Sequence, residues 1–150
     1  MKEPAARGAL LDVNVLVALA WPNHAGHHAA QEWFHAHAAE TGWATTPITE
    51  ASFVRTSSNR RALPTATTPG VAIELLRRMT SLAGHHFWPD MTRLVVGETV
   101  DASMLSGHRQ VTDAHLVALC ADHGGGLVTF DSAILELAGG TDVAVEVLRA

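Results

Sequence analysis

Cysteine is almost missing from this 150-residue chain: Cys120 stands alone. An internal disulfide and a cysteine-built zinc site are therefore both excluded. Within "HLVALC" that one thiol reads as a small buried hydrophobe. Lysine is equally scarce, with Lys2 the single example. Long apolar runs are absent as well; the longest are interrupted by Asp, His or Gly and are too short to span a bilayer. The start, "MKEPAARGALL", has no continuous hydrophobic segment followed by a cleavage site, so no signal peptide is expected. A cytoplasmic protein without membrane contact is the expectation.

Charged residues make up only 17% against 47% hydrophobic, a globular balance in a chain long enough to bury a core. The net charge of −5 argues against a generally basic nucleic-acid binder. Yet the basic residues are nearly all arginine, and Arg55, Arg60, Arg61, Arg77 and Arg78 fall in one short stretch. Arginine suits bidentate phosphate recognition, so a local basic patch and a plain solvated helix face stand level.

Strand and helix patterns alternate along the chain. "GALLDV" reads as a buried strand running straight into the helix "NVLVALAW". "NHAGHHAAQEWFHAHAAE" has helical spacing, with Ala29, Trp33, Phe34 and Ala38 facing inward. "WATTP" is a short strand, and Pro47 opens the helix "PITEASFVRTSS". A Pro- and Thr-rich loop leads to the helix "VAIELLRRMTSLAG", which should end at Gly84. "HHFWPD" is another strand, followed by a weakly helical segment. "VTDAHLVALCADHGGG" is a helix with Thr112 as N-cap and Asp113 in its first turn. "LVTF", "DSAILELAGG" and "VAVEVL" complete the series as strand, helix and strand. Such alternation implies an α/β fold, a parallel sheet covered on both faces. No repeat and no domain boundary interrupts residues 1–150.

Four acids take matching places in this scheme. Asp12 and Asp131 end strands; Glu50 and Asp113 lie near the starts of helices beside that same sheet edge, where sites form. Asp113 and Asp131 taken singly fit helix-start or turn residues, and Glu50 a surface charge. Asp12 fits neither a turn nor a cap, because everything around it is apolar. Four carboxylates at one edge repel one another, and a divalent cation removes that cost. Oxygen-only ligation favours Mg²⁺ or Mn²⁺ over zinc.

"LLDVNVLVAL", "PITEASFVR", "VTDAHLVALC" and "LVTFDSAI" together resemble the successive motifs of PIN-domain ribonucleases, nearest to the VapC toxins of bacterial toxin–antitoxin pairs. The likeness covers nearly the whole chain, and its specificity lies in the ordered set. It implies a three-layer α/β/α PIN-like domain over 1–150, with a central parallel sheet of about four to five strands. It implies metal-dependent endonucleolytic cleavage of RNA, with Asp12, Glu50, Asp113 and Asp131 as the catalytic and metal-holding quartet. Asn14 matches the polar residue after the first acid and supports it; Thr112 and Thr129 stand where they can orient carboxylates, or serve only as N-cap and strand residue. Arg55 would lie on the RNA path. A VapB-type antitoxin partner is implied too, with Arg on its tail competing for the acidic pocket and a helix docking near Trp21, Trp33 and Phe34. A homodimer is expected.

Other chemistries fit less well. The histidines are numerous, but "HAGHH" lacks the Glu of a zinc-hydrolase helix; they read as a polar, partly aromatic surface, with His115 the one to watch beside Asp113. No G-x-S-x-G elbow is present for a serine hydrolase. A phospho-receiver needs a late lysine, and a haloacid-type phosphatase a second Asp where Asn14 stands. The remaining rival is a non-catalytic PIN-fold binding or regulatory protein.

Overall fold

A computed structural model describes residues 8–150; the N-terminal stretch with Lys2, where no signal peptide is expected, lies outside the described residues. The elements follow the alternation of the sequence. They are β1 (Ala9–Leu11), α1 (Val13–Ala20), α2 (His27–Thr41), β2 (Trp43–Thr45), α3 (Pro47–Ser57), α4 (Pro69–Met79), β3 (His85–Phe87), α5 (Arg109–His123), β4 (Gly126–Thr129), α6 (Ile134–Ala138) and β5 (Val145–Val147). A short 3-10 turn at Ala102–Met104 is all that forms in the weakly helical segment.

The five strands make one parallel sheet in the order β3-β2-β1-β4-β5. Strand residues alternate between its faces. Leu11, Trp43 and Val128 enter a core with Val15, Leu16, Trp33, Phe53 and Leu76, under α1 to α4. Leu10, Ala44 and Leu127 enter the other core with Leu116, Leu119, Ile134 and Leu137, under α5 and α6. Helices thus cover both faces, in three layers. Cys120 is buried in the second core, its thiol donating to the Gly126 carbonyl at 3.3 Å. Burial pushes that thiol's pKa up, so it stays protonated and inert.

The chain leaves β1 for β2 and β3 on one side, then crosses back to place β4 on the other side of β1. Strand order therefore reverses between β1 and β4, and open α/β sheets present a crevice at the carboxyl ends of such a pair. Asp12 follows β1 directly, and Asp131 comes two residues after β4.

Three local readings need correction. In α2 the buried alanines are Ala30 and Ala38, while Ala29 is only half-buried; Phe34 is also half-buried, packing edge-on to Trp43 at 5.2 Å. Helix α4 stops at Met79, before Gly84. Gly84 instead turns the chain into β3 at φ +85°, where a Cβ would fall 1.9 Å from the Ala38 carbonyl oxygen. Helix α5 begins at Arg109, so Thr112 is no cap and Asp113 lies beyond the first turn. The helix is extended by bonds from Gln110 N to Gly107 O and from Val111 N to His108 O, and the Gln110 side chain accepts from Ser106 N at 2.6 Å.

Candidate active site at the sheet switch point

Asp12 is where strand becomes helix. Its backbone N–H donates to Val128 O at 2.9 Å, tying the end of β1 to β4. Its Oδ1 accepts from Val13 N at 2.7 Å, so contrary to the sequence reading Asp12 does cap α1. Capping alone does not account for its setting, because Asp12 is only 6% exposed. Its other oxygen, Oδ2, accepts from the Thr129 hydroxyl at 2.7 Å.

Thr129 is the node of this region. Fully buried at the end of β4, it donates to Asp12 and accepts from Asp131 N at 3.0 Å and from Asn14 Nδ2 at 3.4 Å. Asn14 also accepts from Phe130 N at 3.3 Å. The first turn of α1 and the loop after β4 are thereby stitched together around the acids. Asp131 itself is exposed, with Oδ1 accepting from Ala133 N at 3.0 Å.

The electrostatics show three acids acting on one another. Burial is the main force raising the Asp12 pKa; the two hydrogen bonds oppose it and the charge of Asp131 adds to it. Asp113, half-buried on α5, is pushed up to about 6, chiefly by burial and then by the charges of Asp12 and Asp131. No ion pair among the described residues involves any of the three; the pairs formed are His28–Glu32, Arg77–Glu74 and His115–Asp90. Like charges held together in partial burial, without a cationic side chain, are destabilising unless a cation joins them.

Glu50 stands apart. It lies in the first turn of α3, and Thr45 at the end of β2 donates to its Oε2 at 2.7 Å. That hydroxyl also meets His85 Nε2 at 2.8 Å. Because Thr45 spends its one proton on Glu50, His85 must be the donor, giving a chain from imidazole through hydroxyl to carboxylate. The His85 pKa is lowered, mainly by burial, while Glu50 pulls it the other way. Thr45 and His85 are supports that attention to the acids alone misses. The available signal is positional: Thr45 ends β2 as Thr129 ends β4.

The remaining candidates are scattered. Thr112 is exposed on α5 and makes no hydrogen bond to the acids. Arg55 is exposed in the last turn of α3. His115 turns away from Asp113 to pair with Asp90 at 2.6 Å. Several other histidines are tied structurally: His27 Nδ1 to Ala18 O at 2.8 Å, and His123 stacked on Trp88. Trp21, Trp33 and Phe34 do not line one groove. Trp21 donates to Ser57, buried Trp33 donates to Glu146, and Phe34 lines a separate cleft with Leu19 and Met79.

As they stand, no three His, Cys, Asp or Glu side chains among the described residues form a finished metal-ligand cluster. The donor chemistry nevertheless fits a hard divalent cation, since Asp12, Asp113 and Asp131 offer only carboxylate oxygens and an uncompensated negative field.

The PIN-domain family profile matches residues 9–140. The chain belongs to the PIN-domain family. It is 59% identical over 130 residues to ribonuclease VapC39 of Mycobacterium tuberculosis, covering 87% of this chain and 93% of that one. To ribonuclease VapC38 of the same species it is 48% identical over 130 residues, covering 87% and 89%. A solved structure of VapBC2 from Rickettsia felis, bound to a DNA fragment from their promoter, matches with a TM-score of 0.65. That likeness spans 95% of this chain and 99% of the other at 11% identity, and it speaks to the fold. Within the PIN family the relatives are thus VapC ribonucleases, as the ordered acidic motifs imply.

Proposed function

We propose that this VapC-type PIN protein is an endoribonuclease toxin that uses Mg²⁺ or Mn²⁺ and is restrained by a VapB-type antitoxin. The observation that carries the reading is the mutual field of Asp12, Asp113 and Asp131 at the β1/β4 switch point. These three, with Glu50 from the β2 side, would hold the metal. When bound, the cation supplies charge stabilisation at the phosphate and lowers the pKa of a water that attacks it.

The chain's own residues do the positioning. Thr129 and Val13 N fix both oxygens of Asp12, so the carboxylate cannot rotate away from the crevice. Asn14 acts one step behind, fixing the backbone at Phe130 and the Thr129 hydroxyl. Thr45 holds Glu50 at its Oε2. Arg55, with Arg60 and Arg61 on the exposed loop that follows, supplies phosphate contacts in an otherwise acidic chain.

The same negative field suits an arginine from an antitoxin tail, which would exclude metal and RNA together. No helix among the described residues is long and apolar enough to cross a membrane, in keeping with a cytoplasmic site of action. A homodimer completes the reading. The test is cleavage of single-stranded RNA by purified protein with and without Mg²⁺ or Mn²⁺, beside Asp113→Asn. Metal-dependent cleavage lost in the variant supports the proposal; cleavage indifferent to chelation or to the substitution contradicts it. Metal binding without cleavage would favour the non-catalytic rival.

A further inference from the structure

Against α1, the helix that Asp12 caps, lies an open cleft of about 190 Å³, whose lining includes Val13, Asn14, Val17, His24, Thr56 and Leu63. It is smaller than the roughly 300–1,000 Å³ of pockets that enclose whole small-molecule ligands, so it accepts one flat ring system. Its walls divide by chemistry. Val13, Val17 and Leu63 are apolar, while Asn14, His24 and Thr56 bring polar groups.

His24 is held in a definite state. Gly26 N donates to its Nδ1 at 2.9 Å, so the neutral ring carries its proton on Nε2. No group among the described residues accepts a hydrogen bond from that Nε2, and the Thr56 hydroxyl is likewise uncommitted. The loop bearing His24 is fixed against the acid side of the molecule. The Phe130 ring packs on Gly26 so closely that a Cβ there would meet its Cζ at 2.5 Å, and the His24 and Phe130 rings lie 6.4 Å apart.

The cleft adjoins the candidate active site through the first turn of α1. Val13 and Asn14 directly follow Asp12, and Asn14 is bonded to Thr129, the residue that holds Asp12. Exposed Arg60 and Arg61 immediately precede Ala62 on the cleft's rim and supply positive charge where a phosphodiester backbone would pass.

We propose that this cleft binds the base of a nucleotide adjoining the scissile phosphate, with His24 Nε2–H donating to an acceptor on the base edge. The inference rests on the endoribonuclease reading above and adds to it a position where sequence is read. Apolar walls take the faces of the base, and His24 and Thr56 discriminate its edge, as single-stranded RNA recognition requires. The chemistry asks for an unpaired nucleotide, since a base still stacked in a duplex could not enter.

The experiment uses the full chain with Mn²⁺ and short single-stranded RNAs, each cleaved at one bond. The substrates carry each of the four bases, or an abasic residue, on either side of that bond. Expected for the wild type is a fall of about tenfold or more in kcat/KM when the base on one side is removed. His24→Leu and Thr56→Val should bring the intact substrate close to the abasic level and flatten the preference among the four bases. Thr56→Phe, which fills the cleft, should do the same. If the wild type cleaves these RNAs but is indifferent to base removal on both sides, or if the variants keep its full discrimination, the cleft assignment is overturned while the nuclease reading stands. If the wild type cleaves none of them with or without metal, the nuclease reading itself falls and takes the cleft assignment with it.

Discussion

Two threonines end two neighbouring-but-one strands of the same sheet, and each holds an acid. Thr129 on β4 donates to Asp12, and Thr45 on β2 donates to Glu50, both at 2.7 Å and both from full burial. What surrounds them differs. On the Asp12 side the neighbours are more acid, Asp113 and Asp131, and the pKa values rise. On the Glu50 side the neighbour is a histidine that donates to the threonine. On the β1/β4 half three carboxylates act on one another; on the β2 half Glu50 has a threonine donor backed by a histidine. The comparison places the mutual repulsion of the carboxylates on the β1/β4 half and gives Glu50 an orienting partner of its own.

The largest difference should appear in catalysis. Asp12→Asn or Asp113→Asn should lower RNA cleavage by about a thousandfold, several kcal/mol of lost transition-state stabilisation. Near-normal cleavage by either purified variant would remove that residue from the centre. Next comes the pair of threonines. Thr129→Val should cost about 1–3 kcal/mol in denaturant unfolding, because it strips a donor from a buried carboxylate and an acceptor from Asp131 N. Thr45→Val should cost less, since half-buried Glu50 can turn to water. Equal losses would erase the distinction between the two halves.

The apo protein should also show the cost of holding Asp113 charged in partial burial beside Asp12 and Asp131. Asp113 holds its proton more tightly folded than unfolded, with a pKa about 6 against an ordinary 3.8. The stability this group contributes is therefore complete below about pH 4 and is lost as pH rises through 6. Asp113→Asn should remove that slope and raise the melting temperature at pH 7 by about 2–4 °C, a figure reduced for the solvent reaching this half-exposed group. An unchanged slope in the variant would show that Asp113 does not hold its proton more tightly in the folded state. The smallest effect belongs to His85→Leu, which frees Thr45 but leaves its bond to Glu50. Cleavage should fall by less than about tenfold, about 1 kcal/mol for one neutral hydrogen bond. A loss as deep as that of Asp113→Asn would place His85 in the chemistry.

The sheet was legible because its strands are short, apolar and separated by helical patterns, and the reversal of strand order is what such alternation permits. Helix ends were less so. Thr112 and Asp113 look like the start of α5, but bonds accepted by the Gly107 and His108 carbonyls and by the Gln110 side chain extend the helix by a turn, and nothing in "SGHRQVTD" advertises them. Asp12 stands out in the sequence for its apolar setting, and it also caps α1, since cap and buried acid are not exclusive. The pairing of Thr45 with His85 is not legible in the sequence, because it spans 40 residues and depends on β2 lying beside β3. The tryptophans failed as a groove for a related reason: side chains adjacent on a helix separate onto different neighbours, Trp33 toward Glu146 and Phe34 toward Trp43.

The central claim is that Asp12, Asp113 and Asp131 form a centre that demands a divalent cation. Calorimetric titration of the purified full chain with Mn²⁺ at pH 6 and pH 8, in buffers of differing ionisation enthalpy, tests it without reference to any RNA. Binding should be weaker at pH 6 and should release about half a proton there, from Asp113, and almost none at pH 8; Asp113→Asn should bind more weakly and release no such proton. Wild-type protein that takes up no Mn²⁺ at millimolar concentration, or binds it as Asp113→Asn does and with the same proton count, would contradict the account.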